Sequence, residues 1–149
     1  MHIINSPACG ACQIRLLDVT QGLELSGKER AILEHAQRVV TTTMPVTMDD
    51  GSTRVFTGLR VQYNDALGPT KGGLRYHPEV DAGEVQELAF LMMLKNSLAG
   101  LPYGGGKGGI TCDPKNLSTA ELERLTRSFV RALGTTVGPD TDIPAPDVN

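Results

Sequence analysis

Three of the five lysines in this 149-residue chain stand in settings that ordinary surface lysines do not share. Lys107 is set among five glycines in Gly104-Gly-Gly-Lys-Gly-Gly109, and Lys95 directly follows the apolar run Leu88–Leu94. Lys71 stands in Pro69-Thr-Lys-Gly-Gly73, so Lys-Gly-Gly occurs twice. Glycine lets a backbone approach a neighbour or ligand closely and otherwise destabilises folding, so five of them around one amine imply a positioned lysine. An ammonium at the end of an apolar helix must snorkel, pair or bind an anion. Three amines around one hollow repel one another, and burial adds to that in depressing the pKa of the most buried one. Moving an amine from about 10.4 to near 7–8 costs on the order of 4 kcal/mol and makes a lysine basic at neutral pH. The other two amines keep their protons and can hold carboxylates. A dicarboxylic substrate suits that set.

Two nucleotide readings of the glycine run fail. Gly104, Gly106 and Gly109 match G-x-G-x-x-G, but that fingerprint needs a strand before it and a helix after it, whereas the pattern here predicts a helix before and a strand after. A P-loop needs glycine and a hydroxyl residue where this chain has Leu101 and Gly108. Cys9-Gly-Ala-Cys12 lacks the second pair of a structural zinc site, with only Cys112, His2, His35 and His77 elsewhere. No strand is expected before it, as a redox motif requires, so these cysteines read as incidental to a helix entrance, and no metal site is expected.

The elements that must position the lysines follow from patterning. Residues 1–10 read as irregular and Gln13–Leu23 as a helix ending near Gly22. Ser26 with Glu29 forms a capping box for a second helix, whose apolar face carries Ala31, Ile32, His35, Ala36 and Val39. His35 there reads as a packed core histidine. Val39–Met48 is β-branched and reads as a strand interrupted by Pro45; Asp49–Ser52 turns, and Arg54–Tyr63 returns. Asn64–Pro69 is a loop delivering Lys71, with a short strand at Gly73–His77. Asp81 caps a helix running to about Ala99, buried where Leu88–Leu94 is apolar on every side. After the glycines, Ile110–Cys112 is a short strand, and Ser118 with Glu121 caps a last helix to about Leu133. Arg124, Arg127 and Arg131 share one face of it, a solvated or subunit-facing stripe. Gly138–Asn149 is a proline-rich extended segment.

Composition bounds the rest. A chain of this length forms one ordinary domain, and 40% hydrophobic with 21% charged residues is globular. Aromatics are 4%, so the core is aliphatic with Met as filler. A formal charge of −3 with no basic run speaks against nucleic-acid binding. No apolar stretch reaches membrane-spanning length and no signal-peptide pattern opens the chain, so the expected location is cytoplasmic. Three cysteines, an odd count, fit a reducing compartment.

Four long stretches carry a resemblance: Asp49-Asp-Gly, Val61-Gln-Tyr-Asn-Asp-Ala-Leu-Gly-Pro-Thr-Lys-Gly-Gly-Leu-Arg-Tyr-His-Pro78, Leu101-Pro-Tyr-Gly-Gly-Gly-Lys-Gly-Gly-Ile110 and Asp142-Ile-Pro-Ala-Pro-Asp-Val-Asn149. In this order they resemble the glutamate dehydrogenases of the Glu/Leu/Phe/Val dehydrogenase family, over nearly everything from Val39 onward. Residues 1–38 resemble the family only in being helical. The resemblance implies an N-terminal helical segment, 1–38, and a substrate-binding and oligomerisation domain, 39–149. It implies an α/β fold, a mixed sheet flanked by helices, without the family's Rossmann domain. Lys107 then resembles the catalytic lysine, and Asp147 the acid that moves protons at the substrate nitrogen. Lys71 and Lys95 resemble the pair that holds the two carboxylates, with Gly72 and Met92 beside the substrate. L-glutamate and 2-oxoglutarate are the implied substrates, NAD or NADP the cofactor of full-length members, and a homo-oligomer, a hexamer in the family, the implied assembly. No cofactor-binding residue is expected in this chain, which stops two residues after Asp147 and alone should bind dicarboxylates weakly without turnover. The alternatives are a non-catalytic self-association module and a dehydrogenase of another amino acid. An apolar substrate would leave Lys71 unpaired.

Overall fold

The computed structural model describes residues 2–3 and 10–146. In chain order the elements are β1 (His2–Ile3), α1 (Gly10–Val19), α2 (Gly27–Glu34), β2 (Arg38–Thr47), β3 (Thr53–Asn64), β4 (Thr70–His77), α3 (Ala82–Leu98), β5 (Gly104–Thr111), α4 (Thr119–Leu133) and β6 (Asp142–Pro146). They build one mixed six-stranded sheet in the order β1-β2-β3-β5-β4-β6. Neighbours from β1 to β5 run antiparallel, and β4 pairs parallel with both β5 and β6. This is the mixed sheet flanked by helices that the resemblance implies.

Period-2 alternation divides the core between the two faces. Val39, Leu59, Val61 and Tyr63 pack with Val85, Ala89, Phe90 and Met93 of α3 and with Cys12 and Leu16 of α1. Val40, Met44, Phe56 and Ile110 pack on the other face with Leu125, Phe129 and Leu133 of α4. Those three α4 residues are spaced by four, the stripe an amphipathic helix lays on a sheet. The capping boxes at Ser26 and Ser118 both form, and Asp81 accepts from the Glu84 N–H. The β2–β3 hairpin turns on Gly51 at φ 82°, a conformation that favours glycine.

Several elements depart from the expectation. The glycine run, expected ahead of a short strand at 110–112, is itself strand β5 in the sheet interior, so the failed G-x-G-x-x-G match lies inside a strand. Tertiary packing overrides glycine's poor strand propensity here, because both faces need backbone without side chains. β4 starts at Thr70, so Lys71 and Gly72 belong to a strand rather than to the loop before it. β2 runs through Pro45 without interruption; β1 covers only Val40 and Thr41, and proline is tolerated along such an edge. His2 and Ile3 pair with β2 where irregular chain is expected. α1 lies three to four residues earlier than expected, the chain leaving it through Gly22 at φ 84°. α2 ends at Glu34 with no buried residue, so His35 is exposed, its Nδ1 3.1 Å from the Ala31 carbonyl, and Val39 belongs to the sheet. Cys12 is buried and disulfide-bonded, not the incidental thiol its setting implies; Cys9 lies outside the described residues.

Candidate functional site

Lys107 lies in mid-sheet on β5, 7% exposed and opposite Val61 of β3. The glycines on either side explain how it is held. A Cβ at Gly105 would stand 2.4 Å from the Ala89 carbonyl oxygen and 2.5 Å from Met93 Cβ; one at Gly109 would stand 2.6 Å from Val80 Cγ1 and 2.9 Å from Val85 Cγ2. α3 and the turn before it therefore rest on the bare backbone of β5. Strand alternation puts Lys107, between these two glycines, on the same α3 face.

Lys71 is half-buried on the neighbouring strand, in register with Gly105. Gly72 after it is buried and jammed: a Cβ there would overlap the Gly106 carbonyl oxygen and meet Met92 Cγ at 3.3 Å. Met92, half-buried, is thus one point where α3 touches β4. Lys95 stands one helical turn further along and is exposed, so the ammonium after the apolar run reaches water. Asn96, buried beside it, donates from Nδ2 to the Gly104 carbonyl at 2.7 Å and ties the last turn of α3 to the first residue of β5. Asp147 lies outside the described residues. It follows Pro146, which pairs with Leu74 at the end of β6. Among the described residues, no group of three or more His, Cys, Asp or Glu side chains could hold a metal ion.

The other face of the same strands holds a polar cluster that patterning alone does not predict. Arg60 is 1% exposed and Asp142 0%. Arg60 Nε donates to Asp142 Oδ2 at 2.7 Å and Nη2 to Oδ1 at 2.5 Å. Its Nη1 donates to the carbonyls of Gly72 at 3.2 Å and Gly73 at 3.3 Å. Gln62 Nε2 donates to Asp142 Oδ2 at 3.2 Å and to the Thr136 carbonyl at 2.7 Å. A bidentate, fully enclosed Arg–carboxylate pair is the form in which a buried charge is tolerable. The sequence does hold one trace of it. Phe56, Gly58, Arg60 and Gln62 share a face of β3, so two successive positions of an inward-facing series are polar.

Comparison with known proteins follows the same boundaries. The profile of the family described as Glu/Leu/Phe/Val dehydrogenase, dimerisation domain, matches residues 36–149. The catabolic NAD-specific glutamate dehydrogenase RocG of Bacillus subtilis is 53% identical over 136 residues, 91% of this chain and 32% of that protein. An NAD-specific glutamate dehydrogenase of Staphylococcus aureus is 55% identical over 117 residues, 78% of this chain and 28% of its own. The crystal structure of glutamate dehydrogenase from Peptoniphilus asaccharolyticus superposes with a TM-score of 0.90 at 45% identity, over 95% of this chain and 36% of that one. The hetero-hexameric glutamate dehydrogenase of Thermus thermophilus, in its Leu-bound form, gives 0.86 at 41% identity, over 99% and 36%. The chain thus spans about a third of the length of the curated relatives it matches.

Proposed function

Since the chain belongs to the Glu/Leu/Phe/Val dehydrogenase family, in its dimerisation domain, we propose that it is the substrate-binding and assembly half of an NAD-dependent glutamate dehydrogenase. The reaction in this reading converts L-glutamate, water and NAD⁺ to 2-oxoglutarate, ammonium, NADH and a proton, reversibly. The observation that carries it is the placing of Lys71 and Lys107 on adjacent strands, with α3 bringing Met92 against Gly72 and Lys95 one turn beyond. Lys71 and Lys95 hold the two substrate carboxylates as ammonium groups. Lys107 takes a proton from the water that adds at the substrate's α-carbon. Asp147 carries protons to and from the substrate nitrogen, while Gly72 and Met92 close the wall beside the substrate. NAD, held by a second domain in full-length relatives, supplies the hydride acceptor when bound. Residues 1–38, which carry α1 and α2, serve as a lead-in to the domain at 39–149.

Assembly belongs to the same proposal. β1 pairs with β2 only at Val40 and Thr41, so the outer edge of β2 from Thr42 to Thr47 has no strand partner among the described residues. An open edge of that length is a template for a second chain. A homo-oligomer, up to a hexamer, fits it.

Titration with 2-oxoglutarate, followed by thermal shift, tests the reading. Ligand at one hundred times its Kd stabilises the folded state by about 2.7 kcal/mol, or roughly 5–10 °C for a chain of this size. Lys71→Ala and Lys95→Ala should abolish the shift and Lys107→Ala should retain it. A shift that survives loss of Lys71, or none in the wild type, overturns the assignment. The isolated chain mixed with 2-oxoglutarate, ammonium and NADH should leave the absorbance at the reduced nicotinamide band unchanged.

A further inference from the structure

Arg60 does more than neutralise Asp142. Its strand, β3, is separated from β4 by β5, so the side chain must pass beneath β5 to reach the Gly72 and Gly73 carbonyls and Asp142 of β6. Gly106 and Gly108 make that passage possible. A Cβ at Gly106 would stand 3.1 Å from Asp142 Oδ1 and 3.3 Å from Arg60 Nη2, and one at Gly108 would stand 3.3 Å from Nη1. The pairing of β4 with β5 covers Thr70–Lys71 and Leu74–His77 and lapses at Gly72 and Gly73. At the lapse, the two carbonyls accept from the guanidinium instead. The peptides that follow Lys71 are therefore oriented by a side chain from two strands away. Buried ion pairs are often no more stabilising than apolar residues of equal volume, so stability alone does not account for a fork that spans three strands.

We propose that Arg60, braced by Asp142 and Gln62, is a positioning residue for the substrate site: it sets the backbone after Lys71 and so aims that amine and Gly72 toward the α3 face. This deepens the substrate-binding reading and rests on it for the identity of the ligand.

Lysine-selective ¹³Cε labelling of the full chain gives five signals to follow, assigned through single Lys→Arg variants. Arg60→Lys keeps the charge but loses the planar fork. It should move the Lys71 signal, leave those of Lys28 and Lys115 in place, and weaken 2-oxoglutarate binding about tenfold, as loss of charge-assisted hydrogen bonds implies. A purely structural role predicts a lower melting temperature with an unmoved Lys71 signal and unchanged affinity, and that result overturns the proposal. Gln62→Leu leaves the guanidinium in place and removes the brace on Asp142 together with the bond to the Thr136 carbonyl. It should displace the Lys71 signal in the same direction by less, and it decides the matter if Arg60→Lys does not fold, an unmoved signal again being the overturning result. A wild-type chain that ignores 2-oxoglutarate sinks the substrate reading alone. The Lys71 signal still decides whether Arg60 positions it.

Discussion

Replacing Gly105 with alanine puts a methyl group 2.4 Å from the Ala89 carbonyl oxygen, 2.5 Å from Met93 Cβ and 2.6 Å from the Met93 nitrogen. Ordinary contact begins at 3.4 Å, so α3 has to retreat by about 1 Å. Two of the three atoms are helix backbone, which no change of rotamer can relieve. A gap of 0.5–1 Å forfeits about a quarter to a half of each dispersion contact along the interface. That interface contains Val85, Ala89, Phe90 and Met93, all buried. The upper end of the overpacking range, about 3 kcal/mol, is therefore the expected loss. For a chain of this length it lowers the melting temperature by roughly 6–12 °C. Urea denaturation with an unchanged m-value, alongside a thermal melt, measures it, and Gly27→Ala is the control because nothing lies within 4 Å of its added methyl. Met92 and Lys95 ride on the same helix, so 2-oxoglutarate affinity should fall in Gly105→Ala and hold in Gly27→Ala. A melting temperature for Gly105→Ala within about 1 °C of wild type would refute the close packing of α3 on β5.

Four further outcomes are expected. Ser118 accepts from the Glu121 N–H and donates to Asp49, and α4 supplies much of one core face, so Ser118→Ala should lower global stability by about 1 kcal/mol. Ser26→Ala removes the equivalent cap from a helix with no buried residue, and should quicken amide exchange in α2 without moving the melting temperature. Tyr63 is enclosed, and burial, followed by the Glu34 carboxylate, pushes its phenol up to about 12. Between pH 10 and 12 the unfolded chain therefore binds fewer protons than the folded one; stability is full below about pH 10 and falls as pH rises, a slope that Tyr63→Phe should flatten in urea midpoints. Burial and then Asp113 push the Cys112 thiol up to about 11, so alkylation at pH 8 should be slow in the folded protein and fast in urea; equal rates would place Cys112 at the surface.

What the sequence made legible was local. Ser26 with Glu29, Asp81 with Glu84, and Ser118 with Glu121 mark helix starts within four residues of chain, and the structure has all three. The alternation of Val39–Val40 and Phe56–Val61 likewise carries its own register. β5 was not legible, because nothing in Gly-Gly-Gly-Lys-Gly-Gly says strand; only the closeness of α3, Arg60 and Asn64 makes glycine the residue that fits. Arg60 and Asp142 are 82 residues apart, so no window of sequence contains both halves of the pair. His35 misled for the opposite reason. It continues a helical period that the chain abandons at Glu34 so that β2 can begin.

The bareness of β5 bears on how such a site could be altered. The nearest atoms to a Cβ at Gly104, Gly105, Gly106, Gly108 and Gly109 stand at 2.0, 2.4, 3.1, 2.8 and 2.6 Å, so both sides of the strand around Lys107 are closed to enlargement. A redesign for a longer or less acidic amino acid has no room to work there. It would have to recruit the surfaces that do carry replaceable side chains, Lys71 on β4 and Met92 and Lys95 on α3, and leave the floor beneath them as it is.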